Sequence, residues 1–497
     1  MPVNAHDYYA ALCARDRRFD GRFYVGVRST GVYCRPICAV RTPRQENCSF
    51  FPSAAAAEAG GFRPCLRCRP ELAPGVAPID AADRYATAAA QLIEQGFLVE
   101  GTCASLARHL GITDRHLRRV FDRRYGTSPA GYARSQRLLL AKRLLAESNL
   151  TVTDVAMAAG FGSVRRFNDL VRERYRMTPS ELRRDSRCRH GSPGEPLLRL
   201  RLGYRPPLDW EALLAWLGCR AVGGVEAVIG NAYVRNLSFV QAARRVEGQV
   251  CVRADPAHHA LLVEPSVTLL PVLPLVLTRM RRLFDLDASP TDVCAVLGEL
   301  AASRPGLRLP GALSGFEGAV RAVLEQQVST AAATCLLSRL AERFGEPAPA
   351  SDAGLHRHFP AAEALARASI DEIAAIGIPR QRGHALRHLA LESATGALEL
   401  EAVVDVERGI AQLKRIPGIG PWTAGYIAMR AWSWPDVFLS TDYVVRQRFP
   451  DLSPGAIEAH ARRWSPWRSY ALFHLWATSA AAAPESSARP TVPIKEP

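Results

Sequence analysis

Two pairs of closely spaced cysteines lie near the N-terminus of this chain of 497 residues and twelve cysteines. The pairs are Cys34-x3-Cys38 and Cys65-x2-Cys68, which is the spacing of ligands in a tetrahedral zinc site. Zinc keeps its thiol ligands deprotonated at neutral pH, and a thiolate is a nucleophile. The pattern predicts one four-cysteine zinc site, and on spacing alone that site is either structural or reactive.

A second candidate lies at residues 413–443, LKRIPGIGPWTAGYIAMRAWSWPDVFLSTDY, which combine a glycine hairpin, an aromatic cluster and one acid, Asp442. Gly418 and Gly420 fall between two helix-like patterns, where the chain must turn tightly. Backbone N–H groups at such a turn, with a helix starting near Pro421, can bind a phosphate. By itself the hairpin also fits a plain helix–helix turn, and a lone loop Asp is usually a cap.

This hairpin followed by Asp442 resembles the helix-hairpin-helix superfamily of DNA base-excision glycosylases. Three motifs resemble one branch, 3-methyladenine DNA glycosylase II: YRPPLDW at 204–210, RPGLRLPG at 304–311 and WSPWRSYAL at 464–472. The resemblance implies that Asp442 is the catalytic acid, which stabilises an oxocarbenium-like transition state. Trp422 stands where lyase-competent members carry a lysine, which implies a monofunctional enzyme that leaves the abasic site uncut.

The same resemblance implies an aromatic pocket for a base flipped out of the duplex. Electron-rich rings favour stacking of an alkylated purine, which carries positive charge. Core packing is the alternative for each matching residue: Trp216, Trp422, Tyr426, Tyr443 and Trp476. Gln327 replaces the leucine wedge of close relatives, and Ala477 replaces an aromatic residue. The predicted DNA contacts of this half are Gly418, Gly420 and Gln327.

Residues 21–47, GRFYVGVRSTGVYCRPICAVRTPRQEN, and 61–70, GFRPCLRCRP, resemble the N-terminal domain of the bacterial Ada family, which repairs methylphosphotriesters in DNA. The resemblance implies that Cys34 is both a zinc ligand and the methyl acceptor, and that the protein is consumed. Methylation would change the charge of the site from about −2 to about −1 and so favour DNA binding. The nearby arginines either contact the DNA backbone or are simply solvated: Arg35, Arg41, Arg44, Arg63 and Arg67.

Two similar helical units follow, at residues 103–121 and 152–170, and each turns at a glycine into a second helix with exposed arginines. The repeat resembles the double helix-turn-helix of AraC-type activators, including YGTSP at 125–129 and YRMTP at 175–179. This implies promoter DNA and RNA polymerase as partners, whereas helical hairpins without a DNA role are the alternative. The predicted groove-facing residues are Arg115, Arg118, Arg165, Arg166 and Asn168.

The overall composition also points to DNA. A net charge of +15 at pH 7 favours a polyanionic partner, either nucleic acid or an anionic membrane surface. We find no signal pattern and no apolar span that could cross a bilayer. The expectation is therefore a bacterial cytoplasmic, nucleoid-associated protein without a membrane partner, whose cysteines are thiols or metal ligands rather than disulfides.

We expect a multidomain α+β protein with double-stranded DNA, both alkylated sites and promoter elements, as its partner. The predicted domains are a small four-cysteine zinc domain (1–76), an all-α double helix-turn-helix (80–188), a small α+β domain (197–286), an all-α helix-hairpin-helix glycosylase core (287–479) and a disordered tail (480–497). The predicted function combines alkylation repair with transcription regulation, and the glycosylase is expected to need no cofactor. The alternative is a DNA-binding regulator with a catalytically inactive glycosylase-like region.

Overall fold

The computed structural model describes residues 5–16, 19–73, 84–187, 198–241, 243–349, 351 and 353–482. Within these residues it has four consecutive units, which confirms the predicted multidomain α+β class. Cys188, the linker predicted at 189–194 and residues 483–497 of the predicted tail lie outside the described part. The last helix continues to Ala482, three residues into the range predicted as a tail.

The first unit is a small sheet with two helices. Its elements are α1 (Ala5–Cys13), β1 (Tyr24–Val27), β2 (Val32–Cys34), β3 (Cys48–Phe51), α2 (Ala54–Ala59) and β4 (Arg63–Pro64). The strand order is β3-β1-β2-β4, with β2 and β4 parallel. Tyr33 lies opposite Pro64 in this register. The next residue of each segment is a cysteine, so the register brings the two cysteine pairs together.

The second unit is helical. Its elements are α3 (Arg84–Glu94), α4 (Phe97–Glu100), α5 (Cys103–His109), α6 (Asp114–Tyr125), α7 (Pro129–Glu147), α8 (Val152–Ala158), α9 (Val164–Tyr175) and α10 (Pro179–Arg187). Hydroxyls of Thr113 and Ser163 cap the starts of α6 and α9 by accepting backbone N–H bonds. Gly111 and Gly160 turn the chain before these helices with φ of 71° and 81°, a conformation that favours glycine.

The third unit is an antiparallel sheet with two helices. Its elements are β5 (Leu200–Gly203), α11 (Trp210–Gly218), β6 (Glu226–Ile229), β7 (Ala232–Gln241), β8 (Arg244–Asp255), β9 (Ala260–Pro265) and α12 (Leu273–Leu283). The strand order is β5-β9-β8-β7-β6. Leu200 and Leu261 of this sheet share a hydrophobic core with Leu138 and Phe167 of the second unit, so these two units form one packed body.

The fourth unit is all helical. Its elements are α13 (Pro290–Leu297), α14 (Glu299–Ala302), α15 (Gly315–Leu324), α16 (Thr330–Phe344), α17 (Ala362–Arg367), α18 (Ile370–Ala374), α19 (Arg380–Ala394), α20 (Val406–Leu413), α21 (Pro421–Ala431), α22 (Tyr443–Arg448), α23 (Pro454–Ala461) and α24 (Arg468–Ala482). The central helix α15 packs against α19 and α21. A Cβ on Gly318 would lie 3.1 Å from the Ala431 Cβ, so this glycine permits close approach of α15 and α21.

Polar contacts join the units across their interfaces. The Glu58 carboxylate accepts hydrogen bonds from the hydroxyls of Tyr33, at 3.0 Å, and of Ser135, at 2.7 Å. His109 of the second unit lies 3.2 Å from the Glu399 carboxylate of the fourth. None of the helices in the described part of the chain has the length and apolar character needed to cross a lipid bilayer.

A buried ion network joins the third unit to α15. Arg235 is 1% exposed and lies between the carboxylates of Glu226 and Glu317, both of which also bind Arg321. Burial tends to raise the pKa of Glu226, but Arg321 and Arg235 outweigh it and hold that pKa at about 2. Because the folded-state pKa is depressed, this group stabilises the fold above its ordinary pKa of 4.5 and loses that contribution as pH falls toward 2.

Glu226→Gln should lower the free energy of unfolding at pH 7 by about 3–5 kcal/mol, because it leaves two buried guanidinium groups short of negative charge. The variant should also lose stability less steeply than the wild type between pH 4.5 and 3. Urea unfolding followed by tryptophan fluorescence measures both effects. Glu264→Gln serves as a control, because the Glu264 carboxylate pairs with two arginines that are about half exposed, Arg199 and Arg253. This variant should lower the free energy of unfolding by about 1 kcal/mol or less. An equal loss of unfolding free energy in both variants would contradict a stabilising role for the buried ion network.

Candidate functional site

The glycine hairpin connects α20 to α21. Gly418 has φ of 94°, and a Cβ there would lie 3.0 Å from the Ala385 Cβ, so both backbone conformation and space require glycine. Gly420 has φ of −87° and ψ of −178°, which any residue can adopt, and a Cβ there would meet open space. Pro421 begins α21 directly after it. The hairpin therefore turns on Gly418, while Gly420 leaves the N-terminus of α21 uncovered.

Asp442 is both a helix cap and the centre of a hydrogen-bond cluster. Its Oδ1 accepts N–H bonds from Val444, at 3.0 Å, and Val445, at 3.3 Å, at the start of α22. Two indole N–H groups also donate to the same carboxylate: Trp422 to Oδ2 at 3.1 Å and Trp476 to Oδ1 at 3.0 Å. The side chain is half-buried. Four donors fix this carboxylate in place while leaving it partly open to solvent.

Three of the predicted pocket residues form one aromatic cluster. Trp422 stacks on Tyr426 with ring centroids 5.2 Å apart and an interplanar angle of 14°. The ring centroids of Tyr426 and Trp476 are 6.2 Å apart. Trp422 and Trp476 both donate hydrogen bonds to Asp442. Trp216 joins through Phe473, whose ring is 5.9 Å from Trp216 and 6.4 Å from Trp476. The structure thus brings Trp216, Trp422, Tyr426 and Trp476 together around the acid.

Tyr443, which is also predicted to line the base pocket, lies at the surface. It is 74% exposed in the first turn of α22, and its hydroxyl accepts a hydrogen bond from the Gln447 amide at 2.6 Å. The side chain therefore lies on the surface and does not line the described aromatic cluster. Its neighbour Asp442 caps the helix, and this cap turns the next side chain outward.

Two arginines at this site were not predicted from the sequence. The guanidinium carbons of Arg220 and Arg430 lie 4.2 Å and 4.0 Å from the centroid of the Trp216 ring. Arg430 is 5% exposed, and burial lowers its pKa. Its position four residues after Tyr426 places both on one face of α21, which is the only sequence signal that could have identified it.

The turn that carries the predicted wedge residue is attached to the hairpin. Gln327 is exposed with φ of 53°, a left-handed conformation that costs energy for a residue with a side chain. The neighbouring Gln326 amide donates to the Gly418 carbonyl at 2.9 Å and to the Thr423 hydroxyl at 2.6 Å. The turn thus presents Gln327 to solvent beside the aromatic cluster and the hairpin.

The four predicted zinc ligands converge in the first unit. The Sγ atoms of Cys34, Cys38, Cys65 and Cys68 all lie within 4.8 Å of one another. A sulfur tetrahedron around zinc has edges of about 3.8 Å, so the donors fit this metal. Backbone N–H groups donate to Cys65 Sγ from positions 67 and 68, at 3.4 and 3.5 Å, and to Cys68 Sγ from position 35, at 3.4 Å.

Arg35, which is predicted to contact DNA, also makes contacts within the protein. Arg35 is 12% exposed, forms a two-pronged ion pair with Asp20, and donates to the Cys68 carbonyl at 3.2 Å. These contacts tie Arg35 to Asp20 and to the cysteine cluster. The remaining predicted arginines are exposed: Arg41, Arg44, Arg63 and Arg67.

In the second unit, α6 and α9 follow the two glycine turns as predicted. Four arginines predicted to face the groove are exposed on these helices: Arg115, Arg118, Arg165 and Arg166. Arg118 also pairs with Asp114 at 2.9 Å. Asn168 is half-buried, and its Oδ1 has no hydrogen-bond partner among the described residues. Both second helices therefore present positive charge on their outer faces.

Family models match four successive regions of the chain. Residues 7–71 match the metal binding domain of Ada, and residues 106–185 match a helix-turn-helix domain. Residues 199–314 match the AlkA N-terminal domain, and residues 320–447 match the HhH-GPD superfamily of base excision DNA repair proteins. The metal binding model and the four-cysteine cluster together identify one zinc site, and the helix-turn-helix and repair domains identify DNA as the partner.

Relatives match both the whole chain and its parts. The C-terminal part is 44% identical to DNA-3-methyladenine glycosylase 2 of Escherichia coli over 277 residues, covering 56% of this chain and 96% of that protein. The N-terminal part is 34% identical to the bifunctional transcriptional activator/DNA repair enzyme Ada of E. coli over 175 residues, covering 35% and 48%. Over 483 residues, 95% of each protein, the chain is 39% identical to the probable bifunctional transcriptional activator/DNA repair enzyme AlkA of Mycobacterium tuberculosis. The chain therefore belongs to the family of bifunctional transcriptional activator/DNA repair enzymes of the AlkA type.

Proposed function

We propose that the C-terminal part, residues 197–479, is a monofunctional DNA glycosylase that removes alkylated bases such as 3-methyladenine. The observation that carries this proposal is the Asp442 carboxylate, held by the indole N–H groups of Trp422 and Trp476 at the edge of an aromatic cluster. A fixed negative charge stabilises a sugar that becomes positive as the base leaves. The surrounding rings provide stacking surfaces for an electron-poor base.

In the reaction that we propose, the damaged nucleotide leaves the duplex before bond cleavage. The bond between C1′ and the ring nitrogen breaks, and its electron pair leaves with the base. The positive charge of the alkylated purine is thereby neutralised, while positive charge develops on the sugar beside Asp442. A water oxygen then bonds to C1′ and loses its proton, for which Asp442 is positioned as acceptor. The products are the free base and an abasic site.

The absence of lyase activity is proposed from Trp422, which lies two residues after Gly420. Its indole has no amine to form a Schiff base, and its N–H donates to Asp442. We expect methylated duplex DNA to lose bases without strand cleavage at neutral pH, and to break only after alkali treatment. Denaturing gels with and without alkali, together with borohydride trapping, measure this. Prompt strand cleavage or a trapped covalent complex would contradict the monofunctional assignment.

For the N-terminal part, residues 1–76, we propose that Cys34 accepts the methyl group of a DNA methylphosphotriester. Bound to Cys34, Cys38, Cys65 and Cys68, zinc keeps these thiols deprotonated. The Cys34 sulfur forms a bond to the methyl carbon, the methyl carbon–oxygen bond breaks, and the phosphate oxygen regains its negative charge. Backbone N–H groups donate to the sulfurs of Cys65 and Cys68 but not to that of Cys34 among the described residues, which supports Cys34 as a more nucleophilic thiolate than Cys65 or Cys68.

We further propose that residues 80–188 bind promoter DNA at the nucleoid. The exposed arginines of α6 and α9 would contact the major groove, as second helices of helix-turn-helix units do. Methylation of Cys34 removes one negative charge from the cluster and so reduces repulsion of phosphate. A methylated protein would therefore bind DNA more tightly, and contact with RNA polymerase would then raise transcription of repair genes.

A further inference from the structure

One acidic side chain at the aromatic cluster has no role in the chemistry described above. Glu325 follows the last residue of α15 and stands two residues before Gln327. It lines an internal cavity of about 20 Å³ together with Trp216, Tyr426 and Arg430. That volume holds a water molecule but not a purine. We call this cavity, which shares Trp216 and Tyr426 with the aromatic cluster, the floor of the site, and Glu325 is part of its lining.

Tyr426 connects this floor to the stacking surface. One face of its ring stacks on Trp422, its hydroxyl accepts a hydrogen bond from Arg430 at 3.5 Å, and its side chain lines the same cavity as Glu325. Burial and the nearby Glu325 charge raise the pKa of Tyr426, so the phenol stays protonated and remains a donor. Trp422 thus contacts Asp442, and its stacking partner Tyr426 lines the cavity with Glu325, so the two carboxylates are linked through the Trp422–Tyr426 stack.

Glu325 differs from the other acidic residues that line the cavity in its lack of an ion-pair partner among the described residues. Arg235 and Arg321 are neutralised by their ion pairs with Glu226 and Glu317. Two further cations remain, the guanidinium groups on Trp216. No cation among the described residues forms an ion pair with Glu325 within 4.0 Å. Glu325 offsets one of these two positive charges, and without it the floor would present both to an incoming base.

We propose that Glu325 is a specificity-determining residue that makes the pocket favour positively charged alkylated purines over neutral damaged bases. This rests on the proposed base-removal function. The carboxylate offsets the buried guanidinium of Arg430 and attracts the charge of an alkylated ring. A neutral base such as hypoxanthine gains no such attraction between opposite charges.

The test compares excision of a cationic and a neutral base. Single-turnover rates are measured on matched duplexes that contain one 7-methylguanine or one hypoxanthine. Glu325→Gln keeps size and hydrogen bonding but removes charge. It should lower the 7-methylguanine to hypoxanthine rate ratio about tenfold. Glu325→Asp should keep the wild-type ratio, as should Glu363→Gln, which makes the same chemical change at an exposed position of the same unit.

The possible results separate this inference from the function on which it rests. An unchanged ratio in Glu325→Gln, with an active wild type, overturns the role of Glu325 and leaves base removal standing. An equal loss of both activities also overturns it, because a purely structural role would act on both substrates. Failure of the wild type to release either base overturns base removal and, with it, the specificity proposal.

Discussion

Replacing Asp442 with asparagine should slow the release of 3-methyladenine from methylated DNA by about a hundred- to a thousandfold, as expected when a preorganised group that stabilises transition-state charge is lost. Asparagine is as good a helix cap as aspartate, so the bonds from Val444 and Val445 to the side-chain oxygen should persist. What disappears is the negative charge beside the sugar. Single-turnover release of the free base, measured by chromatography, gives the rate constant directly.

A matched control exists on the helix before the hairpin. Asp405 caps α20 by accepting the Arg408 N–H at 3.0 Å, but neither indole contacts it. Asp405→Asn should therefore excise bases at the wild-type rate and unfold at the same urea concentration as Asp442→Asn. Equal excision by Asp442→Asn and the wild type would show that Asp442 is only a cap.

Replacing Cys34 with serine should abolish methyl transfer from methylphosphotriester DNA, because a serine hydroxyl is not deprotonated at neutral pH and forms no thioether. Transfer of radiolabelled methyl groups to the protein measures the loss. Cys13→Ser changes an exposed cysteine outside the cluster and should transfer one methyl group per protein, as the wild type should. Unchanged transfer in a folded Cys34→Ser protein would remove Cys34 from the role.

Loss of a zinc ligand needs its own control, since serine at any of the four positions weakens metal binding. Cys68→Ser removes the least buried ligand and keeps Cys34. It should lose zinc to a similar degree, measured by metal analysis, yet retain slow methyl transfer. If neither variant transferred a methyl group, the loss of transfer would be explained by loss of zinc and would not identify Cys34 as the acceptor.

The sequence was most informative where chemistry requires short spacing. The convergence of the two cysteine pairs follows from local structure, because the short strands β2 and β4 pair with each other. Strand β2 ends at Cys34, and β4 ends at the residue before Cys65. The hairpin likewise depends on Gly418, whose positive φ no other residue adopts as easily. In both places a few neighbouring residues determine the geometry, so a local pattern suffices to predict it.

Side-chain partners across units could not be predicted in the same way. Arg35 looked like a DNA contact beside the cysteines, but Asp20 lies against it in the fold. Glu325 and Arg430 meet at one cavity only because α15 packs on α21. Tyr443 follows the catalytic candidate in sequence, yet the helix cap turns it to solvent. These placements depend on tertiary packing, which leaves no periodic signal in a single sequence.

The joining of the two halves was also not visible in the sequence. The second unit contacts the fourth through His109 and Glu399, and the first contacts the third where Arg205 donates to the Asp20 carbonyl at 2.9 Å. Asp20 is the same residue that pairs with Arg35 beside the cysteine cluster. Asp20 therefore links the surroundings of the cysteine cluster to the C-terminal half of the chain.

The most direct test of base removal is release of free 3-methyladenine from methylated duplex DNA by the purified full-length protein at pH 7, under single-turnover conditions. We expect the wild type to release the base and leave uncut abasic DNA, and Asp442→Asn to bind the same DNA but release the base far more slowly. Binding without release by the wild type would contradict base removal, and would instead favour a DNA-binding regulator with an inactive glycosylase-like region.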